Sequence, residues 1–319
     1  MKTTISIVVP THNEAGNILA LYERIDKVFD QLPQYDYELI FADDSSDNTA
    51  EIIISLISAD SRVGLIKLSR KFGQAVAIVA ALEKCTGEAA IMMDADLQDP
   101  PEAIGLLLKK WTDGYHVVLV KRASERRSIL YFLGTFIFYR FIEKISSISI
   151  PRDVGEFRLI DRKVIDVMGK LREKTRFLRG LTLWPGFLPT TIEIERSERL
   201  SGSTNYNLRR SIGVAVDGIV SFSIAPLRVM FFVGLFMFFL SLIGILYAVS
   251  LRLMTSTWVS GWTLMFVSMC FFGGLQFLFL GTIGEYLGRI FLEVLDRPLY
   301  IIDYEVGCIS RREKLNRGE

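Results

Sequence analysis

Through roughly the first 121 residues, short apolar runs alternate with segments of helical spacing. Ile5–Val9 is a β-branched run stopped by Pro10. In Asn17–Phe29 the apolar positions Ile18, Leu21, Tyr22, Ile25 and Phe29 recur three or four apart, which predicts an amphipathic helix. Tyr37–Ala42, Val63–Leu68, Ala89–Met93 and Tyr115–Val120 read as further strands, and Thr49–Ile57, Gly73–Cys85 and Pro101–Trp111 as the helices between them. This alternation implies right-handed crossovers and an α/β fold with a mostly parallel sheet. Ligands of such sheets bind beyond the carboxyl ends of the strands.

From 122 to 226 the pattern changes. Arg122, Arg126 and Arg127 precede Ile129–Tyr139, an apolar run of 11 residues. That is short of the ~20 needed to cross a bilayer, and the flanking charges, with Arg140 and Lys144 beyond, favour the interface. Asn207–Ile224 is a second interfacial segment by the same reading. Val229–Leu251 and Trp258–Gly284 contain no charge and are long enough to span. Joined by the short Met254–Thr257 link, they predict a transmembrane hairpin. Arg209, Arg210 and Arg228 before the pair, and Arg289, Arg311, Arg312, Lys314 and Arg317 after it, place both flanks on the cytoplasmic side, with Arg252 alone near the far loop. The expected division is therefore a cytoplasmic domain over 1–206, an interfacial helix over 207–226, two membrane helices over 227–284 and a cytoplasmic tail over 285–319. Gly284 and Gly288 suit close helix packing and self-association, or are ordinary membrane-helix glycines.

Composition agrees. Hydrophobic residues make up 50% of the 319, and mean hydropathy is positive. A net charge of +1 gives no field for nucleic acid. Cys85, Cys270 and Cys308 show no metal-ligand spacing. With His12 and His116 as the only histidines, a His-based metal site or a Ser-His-Asp triad is excluded. The first residues read as a strand rather than a secretion signal, so the domain is expected in the cytoplasm, with the whole chain at the inner (plasma) membrane.

Polar groups collect at the strand exits: Thr11, His12, Asn13 and Glu14 after the first, Asp43 and Asp44 after the second, Asp94 and Asp96 after the fourth. Residues two apart in an extended chain share a side. Asp94 and Asp96 thus form a hard-oxygen site for Mg²⁺ or Mn²⁺, which shares its remaining positions with substrate phosphates. Asp44 suits a nucleobase or ribose, while Asp47 or Ser46 suits a helix cap, as Asp99 and Glu102 do. No glycine-rich dinucleotide loop or Walker lysine is present. Lys67, Arg70 and Lys71 either assist the diphosphate or form a solvated basic turn.

Val8-Val9-Pro10-Thr11-His12-Asn13-Glu14, Asp43-Asp44-Ser45 and Asp94-Ala95-Asp96-Leu97-Gln98-Asp99-Pro100-Pro101 together resemble the family-2 inverting glycosyltransferases of GT-A fold. The nearest likeness is to the dolichyl-phosphate mannose synthase and bactoprenol glucosyltransferase branch. Gly155-Glu156-Phe157-Arg158-Leu159 and Arg199-x-x-Gly202-x-Thr204-Asn205-Tyr206 extend it across the chain. The resemblance implies that Pro10, Asn13, Glu14 and Asp44 hold the nucleotide-sugar, and that Asp94, Asp96 and Gln98 organise metal and diphosphate. It places Asp94, Asp96, Glu156 and Arg199 in catalysis, with Arg199 and Thr204 on a loop closing over donor and acceptor phosphates. Asn205 stands where the family often has lysine, and Glu156 where aspartate is frequent.

The implied partners are a nucleotide-sugar, with UDP-glucose favoured over GDP-mannose, a polyprenyl (undecaprenyl) phosphate and the lipid bilayer. A phosphate monoester with its second pKa near ~6 is already an anionic nucleophile at neutral pH, so no strong base is required. Arg122, Arg126 and Arg127, with Thr204, are expected at the lipid phosphate; the arginines suit anionic headgroups equally. The rivals are a processive polysaccharide synthase, which would need more spans and a Gln-x-x-Arg-Trp signature, a lipid nucleotidyltransferase and a non-catalytic scaffold.

Overall fold

A computed structural model describes residues 2–122, 154–171, 173–174, 177–194, 225–255 and 261–309, without some side chains of the two longest helices. Eight strands form one sheet in the order β7-β5-β6-β4-β1-β2-β3-β8. The strands are β1 (Thr3–Thr11), β2 (Tyr35–Asp43), β3 (Val63–Leu68), β4 (Ala89–Met92), β5 (Val117–Arg122), β6 (Val154–Asp161), β7 (Pro189–Ile194) and β8 (Ile302–Gly307). The helices are α1 (Ile18–Asp30), α2 (Thr49–Ala59), α3 (Gln74–Lys84), α4 (Ile104–Thr112), α5 (Arg162–Met168), α6 (Leu178–Leu181), α7 (Ala225–Thr255) and α8 (Trp262–Val294).

The alternation along the first 121 residues produces the parallel block β3-β2-β1-β4. Ile5, Ile7 and Val9 of β1 and Leu39 and Phe41 of β2 pack under α1, α2 and α4, while α3 covers the other face. Because both faces are covered, the strands are mostly apolar, and the buried exceptions Ser6 and Glu38 satisfy each other through Ser6 Oγ donating to Glu38 Oε1 at 2.6 Å.

The sheet is mixed, which corrects the mostly parallel expectation in two strands. β6 runs antiparallel to β4 and to β5. β8 runs antiparallel to β3. That last strand belongs to the segment expected as a tail. Its docking is close: a Cβ on Gly307, which holds φ +85, would lie 2.2 Å from the Val63 carbonyl, and one on Gly64 would lie 2.7 Å from Cys308 Sγ. The helix expected from Pro101 starts as a 3-10 turn over Pro101–Ala103 and becomes α-helical at Ile104.

The strands form one compact unit and the α7–α8 pair another. Helix α8 runs ten residues past Gly284, to Val294. Phe231, Phe236, Phe238, Phe277 and Leu278 on the pair are exposed. Among the described residues, no helix is long and apolar enough to cross a membrane. The expected interfacial segments, Ile129–Tyr139 and Asn207–Ile224, lie outside the described residues.

Candidate active site

The carboxyl ends of β1, β2 and β3 are tied together by side chains. Fully buried Asp43 accepts Thr11 Oγ1 at 2.8 Å and Ser45 Oγ at 2.5 Å through Oδ1, and Lys67 Nζ at 2.5 Å through Oδ2. Lys67 also donates to the Ser45 carbonyl at 2.6 Å. Asp43 is thus a structural anchor, and Lys67 is engaged inside the protein rather than presented to a diphosphate.

Asp44, only 7% exposed, lies beside it. Its Oδ1 is 2.8 Å from His12 Nδ1, and its Oδ2 accepts the backbone N–H of Phe72 and of Gly73, each at 3.0 Å. Gly73 has φ +95, a left-handed conformation that glycine adopts without steric cost, and this turns both amides toward the carboxylate. Lys71 Nζ lies 2.7 Å from His12 Nε2. The His12 ring thus bridges Lys71 and Asp44, one nitrogen to each. Sequence reasoning left His12 without a role; its place at a strand exit was the available signal. Arg70 lies over the Phe72 ring, 4.2 Å from its centroid.

Asn13, at φ +58, accepts Ser46 N at 3.0 Å and donates its own amide to Ser45 Oγ at 2.8 Å. Glu14 donates its amide to Thr49 Oγ1 at 3.1 Å and accepts Asn17 Nδ2 at 2.6 Å. Pro10 is half-buried near the end of β1. Asp47 accepts the Thr49 amide at 3.1 Å at the start of α2, the capping role set out for it.

Strand β4 ends at Met92, so Asp94 and Asp96 are not on an extended strand as expected. A turn carries them, and Leu97 at φ +58 bends it. Both acids are half-buried while Ala95 and Leu97 are buried, so the alternation survives the turn. Left-handed backbone at a non-glycine residue costs about 1 kcal/mol or more and gathers at functional sites. Asp96 Oδ1 accepts the Gln98 amide at 3.2 Å, and Asp94 Oδ1 accepts Gln74 Nε2 at 2.5 Å. Gln98 itself is buried. Among the described residues there is no group of three or more His, Cys, Asp or Glu able to hold a metal. Two carboxylates and the oxygens of a diphosphate are nonetheless a donor set that fits a hard divalent cation. Glu102, in the 3-10 turn that follows, makes a two-point pair with Arg24 at 2.9 and 2.5 Å.

On the far side of β4 lies an ionic cluster. Met92 pairs with Arg158 in the β4–β6 register, which brings Glu156 to the same end of the sheet as Asp94. Arg158 is fully buried and donates to the Gly155 carbonyl at 2.7 Å, to Thr182 Oγ1 at 3.0 Å and to Glu156 Oε2 at 3.2 Å. Burial pulls its pKa below the ordinary arginine value, against the opposing pull of Glu156 and Asp94. Arg179 Nε donates to Glu156 Oε1 at 2.8 Å. A cavity of about 440 Å³ between α3 and α5, lined by Val79, Leu82, Arg162 and Met168, lies at the opposite, amino end of β4 and contributes nothing to this site.

Residues 6–169 match the sequence profile described as Glycosyl transferase family 2, about half of the chain. The chain belongs to glycosyl transferase family 2. It is 41% identical over 309 residues to the Bacillus subtilis glycosyltransferase YkcC, covering 96% of this chain and 95% of that protein. It is 36% identical over 306 residues to the bactoprenol glucosyl transferase of Shigella phage SfX, covering 93% and 98%. Glucosyl-3-phosphoglycerate synthase from Mycobacterium tuberculosis, in a structure with Mn²⁺, UDP-glucose and phosphoglyceric acid, aligns over 68% of this chain and 78% of its own at 18% identity and TM-score 0.46.

Of the residues expected in this family-2 site, the structure brings Pro10, Asn13, Glu14 and Asp44 to the exits of β1 and β2. It sets Asp94, Asp96 and Gln98 after β4 and Glu156 on β6. Arg122 ends β5, its side chain outside the description; Arg126, Arg127, Arg199 and Thr204 lie outside the described residues. Arg179 was missed, since no local motif marks it.

Proposed function

We propose that this family-2 glycosyltransferase moves a hexose, glucose by preference, from UDP-glucose to polyprenyl phosphate with inversion. The observation that carries the reading is the Asp94–Asp96 turn, standing between the β1–β2–β3 exits and the Glu156 cluster. Whole-length similarity to a bactoprenol glucosyl transferase supports the acceptor and the sugar.

The nucleoside lies over the exits of β1 and β2, against Pro10, Asn13 and Glu14. Asp44 serves it through the Phe72–Gly73 turn that it holds in place. Asp94 and Asp96 would hold Mg²⁺ or Mn²⁺, which would supply the positive charge that offsets the departing nucleoside diphosphate. An acceptor phosphate oxygen forms the new bond to the anomeric carbon. The bond to the diphosphate breaks, and its electron pair leaves with the diphosphate. The site then has to align that phosphate in line and tolerate positive charge on the sugar ring. The family likeness assigns Arg199 and Thr204 to the phosphates and Arg122, Arg126 and Arg127 to the lipid end.

In this reading α7 and α8 anchor the chain in the inner membrane. Counted with the positions whose side chains lie outside the description, they run 31 and 33 residues, about 46 and 50 Å against a hydrocarbon core of ~30 Å. Their exposed phenylalanines suit lipid. The return of the chain to the sheet as β8 supports an even number of crossings, with both flanks on one side of the membrane; the positive charges on those flanks favour the cytoplasmic side.

The test is to incubate the full chain in membranes with labelled UDP- and GDP-sugars and polyprenyl phosphate, then to extract the lipid. Labelled glucose on the lipid, lost on chelation, is expected. Nucleotide on the lipid, no sugar on it, or transfer indifferent to chelation would overturn the reading.

A further inference from the structure

Two described cations around this site present their guanidinium groups outward, Arg70 over the Phe72 ring on the β3 side and Arg179 on the β6 side. Lys67 is engaged with Asp43 and Ser45, Lys71 with His12, and Arg158 is buried with every contact internal. The Arg179 side chain is 37% exposed, and among the described residues Glu156 is its one polar partner, through Nε alone. Four of the five guanidinium N–H groups remain for a ligand, in the planar fork that matches a phosphate.

Its place in the sheet order matters as much. β1, β2 and β3 lie on one side of β4, and β6 lies on the other. With the nucleoside over β1 and β2, the diphosphate reaches the acids after β4 from that side. Displacement with inversion requires the nucleophile to arrive on the opposite side of the sugar, which is the β6 side. Glu156 is held there by buried Arg158 through Oε2 and holds Arg179 through Oε1. A carboxylate bracketed by two guanidinium groups is stabilised as an anion, which suits an anchor more than a proton acceptor.

We propose that Arg179 binds the anionic phosphate of the acceptor, with Glu156 as its positioning residue. The inference rests on the phosphate acceptor of the preceding reading and adds the residue that grips it.

The test uses the purified full chain in detergent with undecaprenyl phosphate and UDP-glucose, varying each substrate in turn. Arg179→Gln is expected to raise the KM for the lipid phosphate about tenfold or more, the scale of a lost charge-assisted hydrogen bond. The KM for UDP-glucose stays unchanged, and Arg179→Lys falls between. Glu156→Gln moves the lipid KM in the same direction and leaves the pH profile of kcat where it was; a merely structural role would not separate the two KM values. An unchanged lipid KM in both Arg179 variants, a rise in the donor KM, or a kcat profile displaced by Glu156→Gln would overturn the proposal. Should Arg179→Gln fail to fold, Arg179→Lys carries the same comparison. Absence of lipid transfer by the wild-type chain overturns the preceding reading and this one together, and is read before any substitution is made.

Discussion

Met92 on β4 stands directly opposite Arg158 on β6, and this pairing brings a fully buried guanidinium beneath the turn that carries Asp94. Removing one partner of a buried ion pair strands the other. Arg158→Ala should therefore lower stability by about 3 kcal/mol or more, seen as an earlier denaturation midpoint. Arg158→Lys should recover only part of this, because an ammonium cannot reach the Gly155 carbonyl, Thr182 and Glu156 together.

Asp44→Asn should weaken donor binding while sparing the lipid acceptor. The amide keeps one acceptor oxygen, yet the His12 N–H and the two amides at Phe72 and Gly73 lose an anionic partner. Loss of charge-assisted hydrogen bonds on this scale costs about 1.5–3 kcal/mol. The KM for UDP-glucose should rise at least tenfold at unchanged lipid KM, as read from initial rates.

In the proposed reading the metal is held by two acids, Asp94 and Asp96. Asp96→Ala should reduce transfer by about 10³-fold, the value of the several kcal/mol that a cation contributes at a leaving group. The variant should retain the wild-type melting temperature within a few degrees. Chelation of the wild-type chain should give a comparable loss, reversed by Mn²⁺ or Mg²⁺.

Asp60 gives a pH prediction. Burial works to raise its pKa, but the Arg62 side chain and amide and the Tyr22 hydroxyl outweigh it, and the folded value lies below the ordinary one. The stabilisation is then complete above the unfolded value of about 3.9 and disappears as pH falls through the lower folded value. Asp60→Asn should cost about 1–3 kcal/mol at pH 7 and at pH 5. The gap to wild type should narrow as pH falls below about 4 in denaturation curves.

Gly307→Ala tests the docking of β8. A methyl group 2.2 Å from the Val63 carbonyl, on a backbone at φ +85, cannot be absorbed without moving one strand. A loss of about 1–3 kcal/mol is expected, with faster amide exchange along β3 and β8.

Much of this architecture is legible in the sequence because its signals are local. Ile18, Leu21, Ile25 and Phe29 announce α1, and the apolar runs ending at Asp43 and at Asp94 announce strands with acids at their exits. Three features escape for one reason: their partners lie far away in sequence. β6 carries Glu156 and Arg158, charges that argue against a buried strand until Thr182, Gly155 and Arg179 surround them. β8 is six residues beyond a pair of long helices, and only β3 makes it a strand. Asp44 reads as a ligand group, whereas much of its carboxylate is occupied by a turn near residue 73. The pairing of Asp94 with Asp96 was read from strand periodicity; the left-handed Leu97 shows that a turn presents them instead.

The seam between β3 and β8 also governs biosynthesis. It joins residues about 240 positions apart, so the edge of the sheet cannot be completed until residue 307 has left the ribosome. Until then β3 exposes an unpaired edge, open to other strands. A nascent chain whose helical pair has not yet settled therefore carries an unfinished enzyme, and truncation before residue 302 would injure the sheet rather than trim a tail.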